Sequence, residues 1–294
     1  MGLLLQLTVH GIYAASIYVL LGVGWGLIFS VGRVFHISYG ISYAAGAYVS
    51  AYTSNTFGLS LVGCAAAGVF AAALVGVMFE VALYQPLRRR NADRMVVLIA
   101  SLGMMSFFTA VLSIAFGVKA VSFIGVLDEA LTLGGGVIVT RFEIMAVSIS
   151  FVIILAFFIY WRHAWSGRVL RAVAASPERA LLSGMNVERA RLIAMVIGSG
   201  MAGLAGVLLA LTEAATLNMI LAGLLMATAA VFVGGLGSAA GAVVGAVVIA
   251  LSMNIGVWHL PSSWQQAVAF VILLGFILVR PQGLMGERVA STRV

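Results

Sequence analysis

Long apolar segments alternate with short polar ones along the whole chain. Seven of the apolar segments approach or exceed the roughly 20 residues that a helix needs to cross the hydrocarbon core of a bilayer. We predict membrane helices at about 9–31, 37–53, 59–84, 95–117, 142–161, 191–212 and 264–280. An eighth apolar segment, 222–254, is too long for one span and is interrupted by GGLGSAAG. We interpret it as two short helices with a break near Gly234 to Gly237.

The composition agrees with a bilayer as the solvent. Hydrophobic residues make up 63% of the 294 residues and charged residues only 9%, whereas a soluble domain has about 25% charged residues. Together with the spans, this predicts an all-α, polytopic membrane protein of nine helices, with eight or ten as alternatives, in one domain over 1–294. The start MGLLLQLTV lacks basic residues and runs into the first span, so no cleavable signal peptide is expected.

The positions of the arginines predict the orientation. The net charge of +7 is concentrated at the ends of apolar segments, where positive charge marks the cytoplasmic side. The basic clusters are Arg88 to Arg94, Arg162 to Arg191, and Arg280 to Arg293. The segment 118–141 lacks this basic excess and is expected outside, as is the N-terminus.

The basic segment 162–190 has its own helix signals. Ser176, Pro177 and Glu178 form a typical helix start, because serine caps free amides, proline fits the first turn and glutamate favours the positive helix end. Gly184 is a typical stop, so a short helix is predicted at about 177–183, and Asn186 is expected to cap the next helix. The residues alone leave two roles open, a helix resting on lipid head groups or a docking helix for a cytoplasmic partner.

The sequence argues against several kinds of chemistry. A nucleotide-binding loop needs Gly-Lys followed by Ser or Thr, and the only lysine, Lys119, lies in GVKA. The four histidines are not spaced for metal binding. The acids Glu80, Glu143 and Glu213 lie near span ends, where pairing or snorkelling explains them. No catalytic residue, metal or cofactor of this chain is therefore expected.

Glycine clusters predict where solute could pass. GVGWG at 22–26 and GGLGS at 234–238 are candidate helix breaks, and transporters build binding sites from broken helices. We predict that the translocation path includes Ser38, Tyr39, Ser42, Gly235 and Gly237. The alternative for these residues is helix packing.

Seven motifs resemble, in order, those of permeases of branched-chain amino acid ATP-binding-cassette importers. They are GAYVS (46–50), EVALYQPLRRR (80–90), IASLGM (99–104), GRVLRAVAASPERALLSGMNVERAR (167–191), AGLAGVLLA (202–210), VGGLGSAAGAVVGA (233–246) and RPQGLMG (280–286). The resemblance implies a type II importer permease fold in the bacterial inner membrane and no catalysis by this chain. It also implies a second permease subunit, identical or related, two cytoplasmic ATPases that bind ATP and Mg, and a periplasmic solute-binding protein.

The resemblance also assigns residues and a class of solute. Segment 162–190 would carry the coupling helix on which an ATPase docks, through Arg168, Arg171, Ser176, Pro177, Glu178, Ala180, Leu181, Leu182 and Gly184. The solute would be an amino acid or a related small molecule. HISYGI at 36–41 departs from the family's N-F-A-H-G-E, with Tyr39 where histidine is usual, and Ala240 replaces a proline. Both departures weaken the inference that this chain shares the family's branched-chain substrate. A secondary transporter or channel without ATPase partners is the alternative.

Overall fold

The structure, a computed structural model, describes residues 2–123, 130–133, 137–258, 261, 264–280 and 282–286. Nine helices of 15 residues or more lie in this part of the chain. They are α1 (Gly2–Gly32), α2 (Tyr39–Phe57), α3 (Leu61–Met78), α5 (Arg94–Phe116), α6 (Arg141–His163), α9 (Val187–Thr212), α10 (Asn218–Gly234), α11 (Ala239–Gly256) and α12 (Gln265–Val279). A helix is therefore present at each of the nine predicted positions.

Six helices are long and apolar enough to cross a bilayer. They are Leu4–Gly32, Leu61–Arg89, Arg94–Phe116, Arg141–His163, Val187–Thr212 and Ala239–Gly256, and Met219–Gly234 and Gln265–Val279 are shorter apolar helices. The 19-residue α2 carries Tyr, Ser, Thr and Asn side chains, which make it less apolar. The predicted break in 222–254 is confirmed, because Gly235 and Gly237 have φ values of 112° and 90° and separate α10 from α11.

Several short elements were not predicted. A π-helix (Phe79–Tyr84) and α4 (Gln85–Arg89) extend α3, and α7 (Trp165–Ala175) lies between α6 and α8 (Pro177–Leu182), the short helix that was predicted at about 177–183. The strands β1 (Ala130–Leu133) and β2 (Val137–Thr140) pair antiparallel, with Ala130 opposite Thr140. A strand this short is stabilised by its partner strand. The prediction of an outer loop over 118–141 did not include this pairing.

The prediction of a helix break at GVGWG is wrong, because α1 runs without interruption through this segment. Its glycines instead allow close packing: a Cβ at Gly22 would lie 3.0 Å from the Cβ of Ala230, and one at Gly24 would lie 2.8 Å from the carbonyl oxygen of Gly198. Small residues let helix backbones approach each other where lipid removes the hydrophobic drive for association.

Glycine contacts also set the arrangement of the core. A Cβ at Gly46 in α2 would overlap Gly203 in α9, and a Cβ at Gly68 in α3 would lie 2.6 Å from the carbonyl oxygen of Gly46. Helix α9 therefore packs against α2 and α3, which also pack against each other. It packs against α1 on another side, and α10 and α11 form an antiparallel pair beside α1. The buried core includes the large side chains Trp25, Tyr39 and Tyr48.

The two ends of the helix assembly differ in charge. One end, called here the arginine-rich end, carries Arg33, Arg89, Arg162, Arg179 and Arg280. The opposite end carries the α2–α3 and α9–α10 connections and the β-hairpin, with Val121 and Ala215 exchanging backbone hydrogen bonds of 3.0 and 2.7 Å. The predicted orientation puts the arginine-rich end in the cytoplasm and the opposite end outside.

Candidate functional site

The segment between α6 and α9 is a chain of capped short helices. The side chain of Ser176 accepts a hydrogen bond of 3.4 Å from the amide of Arg179, and that of Asn186 accepts one of 2.9 Å from the amide of Arg189. Gly184 has a φ of 77° and its amide donates to the carbonyl of Leu181 at 2.9 Å. Both predicted caps and the glycine stop are therefore confirmed, and α8 ends at Leu182, one residue earlier than predicted.

Helix α8 buries one side and exposes two large apolar side chains on the other. Ala180 is only 3% exposed and packs on the core, whereas Leu181 and Leu182 are 65% and 88% exposed. Pro177 is half-buried, and Glu178 and Gly184 are exposed. Two exposed leucines next to each other on a capped helix form an apolar contact point at the arginine-rich end.

Helix α7 holds α8 against the helix bundle. Leu170 and Val173 of α7 are fully buried, and a Cβ at Gly167 would overlap the carbonyl oxygen of Tyr160. The predicted loop missed this helix, although the spacing of Leu170 and Val173 on one side is a helical signal.

Two arginines fasten α7 to its neighbours through backbone carbonyls. Arg171 donates hydrogen bonds to the carbonyls of Trp161 and Arg162 at the end of α6, and Arg33 donates to the carbonyls of Ala174 and Ala175 at the end of α7. Carbonyl groups at the C-terminal end of a helix lack intrahelical partners and favour positive charge. Arg171 thus contacts its own chain, whereas the Arg168 guanidinium lies over the exposed Trp165 ring, 5.0 Å from the centroid.

A charged cluster joins α4 to the first turn of α9. Glu188 accepts hydrogen bonds from Gln85 at 3.0 Å and Arg89 at 3.4 Å. One turn further into the bundle, Glu80 of the π-helix is buried and pairs with Arg88, as its position in the sequence suggested. The segment that follows α8 is therefore tied to the end of α3 through α4.

The predicted path residues Ser38, Tyr39 and Ser42 are fully buried between helices of this chain. The Ser38 hydroxyl donates to the carbonyl of Ser101, and the Tyr39 hydroxyl lies 3.0 Å from the carbonyl oxygen of Leu21 and 3.3 Å from that of Gly198. The Ser42 hydroxyl is buried, and it has no hydrogen-bond partner among the residues that the structure describes. Their role in a path stays a prediction.

A buried polar network surrounds Ser38. The Nδ1 of His36 lies 2.6 Å from the Tyr84 hydroxyl, which lies 2.9 Å from the Ser101 hydroxyl. Ser101 also accepts a hydrogen bond of 3.2 Å from the Ser38 amide. The network joins the α1–α2 connection, the π-helix and α5.

The other two predicted path residues lie at the arginine-rich end. Gly235 packs against the backbone of Gly286, where an added Cβ would overlap it. Gly237 lines a cleft of about 780 Å³ together with Arg33 and Arg171. The structure thus brings Gly237 and Arg171 together and does not join either glycine to the buried group of Ser38, Tyr39 and Ser42.

Polar side chains line a groove that sequence reasoning missed. Its volume is about 840 Å³, and it lies between α5 and α10, with Ser106, Thr109 and Ser113 on one side and Asn218 and Gln266 on the other. The three hydroxyl residues are three and four positions apart, which puts them on one side of a helix. That spacing was visible in the sequence and could have predicted the groove.

Comparison with known proteins gives concordant results. A family model described as branched-chain amino acid transport system / permease component matches residues 7–277. The high-affinity branched-chain amino acid transport system permease protein LivH of Escherichia coli (strain K12) is 28% identical, over 96% of this chain and 96% of its own length. The corresponding permease protein BraD of Pseudomonas aeruginosa is 27% identical, with the same coverage of 96% and 96%. The solved structure of PsaBC from Streptococcus pneumoniae in complex with Fab has the same fold, with a TM-score of 0.52 at 14% identity, covering 93% of this chain and 91% of that chain.

Proposed function

Because the chain belongs to the family of branched-chain amino acid transport permease components, we propose that it forms the solute path of an importer whose ATPases dock on α8. It is a multi-pass, inner-membrane permease subunit of an ATP-binding-cassette importer with the type II permease fold. In this proposal residues 1–294 act as one permease domain, and 162–190 is its coupling segment. ATP and Mg bind to the separate ATPases, a second permease subunit completes the path, and a periplasmic binding protein delivers the solute.

The observation that carries the docking proposal is the exposed pair Leu181 and Leu182, which are 65% and 88% exposed on a helix fixed by Ser176 and Gly184. Burying a leucine side chain contributes about 1.5–3 kcal/mol, so two leucines supply an apolar anchor. Because both ends of α8 are capped and Ala180 holds it to the core, the anchor is already ordered before binding. An ordered contact costs less entropy on association.

The hydrogen bonds around α8 support coupling in addition to docking. Movement of α8 is passed to α9 through the short turn at 183–186, and from Glu188 to Gln85 and Arg89. Movement of α7 is passed to α1 and α6 through Arg33 and Arg171. A push or pull on α8 therefore reaches four of the long helices, α1, α3, α6 and α9, which is what alternating access requires of a coupling helix.

For the path we retain Ser38, Tyr39, Ser42, Gly235 and Gly237 as a proposal and add the α5–α10 groove. Ser38, Tyr39 and Ser42 would form the inner wall of the path. Gly237 would lie at its cytoplasmic exit, where the cleft of about 780 Å³ opens. The groove supplies neutral hydroxyl and amide groups, which bind a polar solute without holding it as tightly as an opposite charge.

The proposed solute is an amino acid or a related small molecule. The relatives named above are branched-chain amino acid permeases, which makes leucine the first solute to test. The departure at HISYGI does not alter the groove or α8, so it leaves the docking proposal intact.

A charge placed on the leucine anchor tests docking. We expect Leu182→Arg to lower co-purification with the ATPases, and ATP-dependent leucine uptake in proteoliposomes, at least tenfold, since one buried leucine accounts for a factor of that size. The matched control is Leu59→Arg, because Leu59 is also exposed, at 47%, but lies at the opposite end. This control should behave as the wild type.

Equal ATPase binding by both variants would contradict docking on α8 and leave the head-group role for this helix. Leucine uptake that proceeds without ATPases would instead favour the secondary transporter.

A further inference from the structure

A pocket of about 320 Å³ lies at the opposite end of the bundle, beside the α9–α10 connection. Its polar groups include those of Tyr18 in α1, Tyr43 in α2, Glu213 in the connection, Asn218 at the start of α10 and Gln266 in α12. Three methionines form much of its apolar wall, namely Met219, Met226 and Met253. The pocket therefore combines one acid, two phenol rings and a flexible apolar surface.

Glu213 brings an uncompensated negative charge to this pocket. No basic residue lines the pocket among the described residues, and in the same part of the chain the Glu213 carboxylate has neither a hydrogen-bond donor nor an ion-pair partner. It is close enough to Tyr18 and Tyr43 to interact with both electrostatically. The surrounding helices partly desolvate the carboxyl and raise its pKa, although the side chain stays accessible from the pocket.

These groups match the chemistry of an ammonium ion. A carboxylate in a partly desolvated site gains stability from an opposite charge, and aromatic rings attract cations. A divalent metal ion is a poor match, because calcium takes six to eight oxygen ligands and usually more than one carboxylate, whereas Glu213 is the only acid among the described lining residues. The methionine wall suits an apolar group attached to the ammonium, since methionine adapts to irregular shapes.

We propose that this pocket receives the incoming solute from outside, with Glu213 as the ion-pair partner of its primary ammonium group and the methionines against its apolar part. The inference rests on the proposed importer function and assigns solute recognition to a residue of the permease itself. The chemical class that fits is a small primary amine with an apolar side group, which includes neutral amino acids.

The pocket adjoins the groove of the proposed route. Asn218, Ala222 and Gln266 line both this pocket and the groove of about 840 Å³ between α5 and α10. A solute released from Glu213 therefore moves directly toward Ser113 and Thr109, which carry no charge. The ion pair would act only at the outer end of the route.

Direct binding tests the pocket without the binding protein. The purified permease–ATPase assembly, in nanodiscs of phosphatidylglycerol alone, is titrated with leucine, with 3-methylbutylamine, which lacks the carboxylate, and with 4-methylpentanoate, which lacks the ammonium. We expect the first two to bind and the third to bind at least tenfold more weakly. Glu213→Gln should weaken both ammonium probes at least tenfold, and Glu213→Asp, which keeps the charge, should weaken them less.

Three results would overturn the proposal: 4-methylpentanoate binding as well as leucine, Glu213→Gln binding leucine as well as the wild type, or neither ammonium probe binding to the wild type. The first and third results are informative even if a variant fails to assemble, because they come from the probe series on the wild type alone. The head group of phosphatidylethanolamine carries the same ammonium. If the wild type retains this lipid from ethanolamine-containing nanodiscs, Glu213→Gln does not, and no probe binds, the pocket holds lipid and the solute proposal fails.

The outcomes separate this inference from the importer function. If the complete assembly takes up leucine with ATP and Glu213→Gln changes neither the binding nor the uptake, the importer stands and the ammonium site fails. If the assembly takes up no solute while the ammonium probes bind through Glu213, the importer function fails and the site remains.

Discussion

Individual glycines decide how closely the helices of this protein approach. Gly206 of α9 lies so near Tyr43 of α2 that an added Cβ would overlap the Tyr43 carbonyl oxygen. Gly103 of α5 is also inside a helix, yet a Cβ there would meet nothing within 4 Å. The same residue type therefore serves a packing role in one helix and none within this chain in another.

This contrast leads to a stability prediction. Gly206→Ala should lower the thermal stability of the detergent-purified protein by several degrees, because backbone atoms cannot give way to the new methyl group. Gly103→Ala should leave it unchanged or raise it slightly, since alanine favours a helix by about 1 kcal/mol over glycine. Equal effects of the two changes on the melting temperature would contradict the close contact between α9 and α2.

A second effect at the residue scale is that His36 makes the stability of the fold depend on pH. It lies between α1 and α2, it is fully buried, and burial lowers its pKa from 6.5 to about 3. The unfolded chain therefore binds a proton at His36 below about pH 6.5, while the folded chain does not until about pH 3. Stability from the neutral, buried form is complete above pH 6.5 and is lost progressively as the pH falls, by up to about 1.4 kcal/mol per pH unit.

The measurement compares thermal unfolding of the wild type and His36→Phe between pH 7.5 and 5. The variant loses the hydrogen bond between His36 and Tyr84 and should be less stable at pH 7.5, but its midpoint should fall less on acidification. The other titrating groups are present in both proteins and cancel in the comparison. Parallel curves would show that His36 does not control the acid response.

At the scale of elements, the turn between α10 and α11 both separates two helices and lines the cleft at the arginine-rich end. It ends one helix and starts the next through Gly235 and Gly237, both with positive φ, and Ser238 caps α11 by accepting a hydrogen bond of 3.0 Å from the Gly241 amide. The backbone of residues 284–285 donates to the carbonyls of Val233 and Gly234 at 2.9 and 2.8 Å. The turn is thus held firmly where the cleft at the arginine-rich end opens.

A large side chain at this turn tests the proposed exit. Gly237→Leu should lower solute uptake several-fold, because the side chain would enter the cleft of about 780 Å³. Gly58→Leu is the control, since Gly58 also has positive φ, 58°, and open space around it, but it lies at the opposite end. Uptake per assembled complex in proteoliposomes is the measurement, and equal uptake by the two variants would argue that Gly237 serves the turn alone.

At the scale of the whole molecule, the sequence predicted where the helices lie much better than which helices pack against each other. Apolar length and caps are local properties, so the spans, the α10–α11 break, and the starts of α8 and α9 follow from nearby residues. The contact between Gly46 and Gly203, and the hydrogen bonds between Ser38 and Ser101, depend on residues far apart in the chain. No local pattern predicts such pairs.

The candidate sites divide in the same way. The proposed coupling helix α8 is signalled by a serine cap, a proline and a glycine stop within nine residues, Ser176 to Gly184, and both its cap and its stop are as predicted. The groove and the pocket of Glu213 are each built from three or more helices. The hydroxyl spacing on the α5 side of the groove is visible in the sequence, but both cavities form only when α10 and α12 are brought together with the other helices in space.

The hydrogen bonds of Arg33 and Arg171 have a consequence for the evolution of such permeases. Both arginines bind backbone carbonyls of α6 and α7, which every amino acid supplies. Exposed side chains on α7 and α8 can therefore change without breaking the hydrogen bonds that Arg33 and Arg171 make to these carbonyls. Under the proposed docking on α8, a lineage can exchange one ATPase for another by altering surface residues alone, while the helices that carry those residues keep their arrangement.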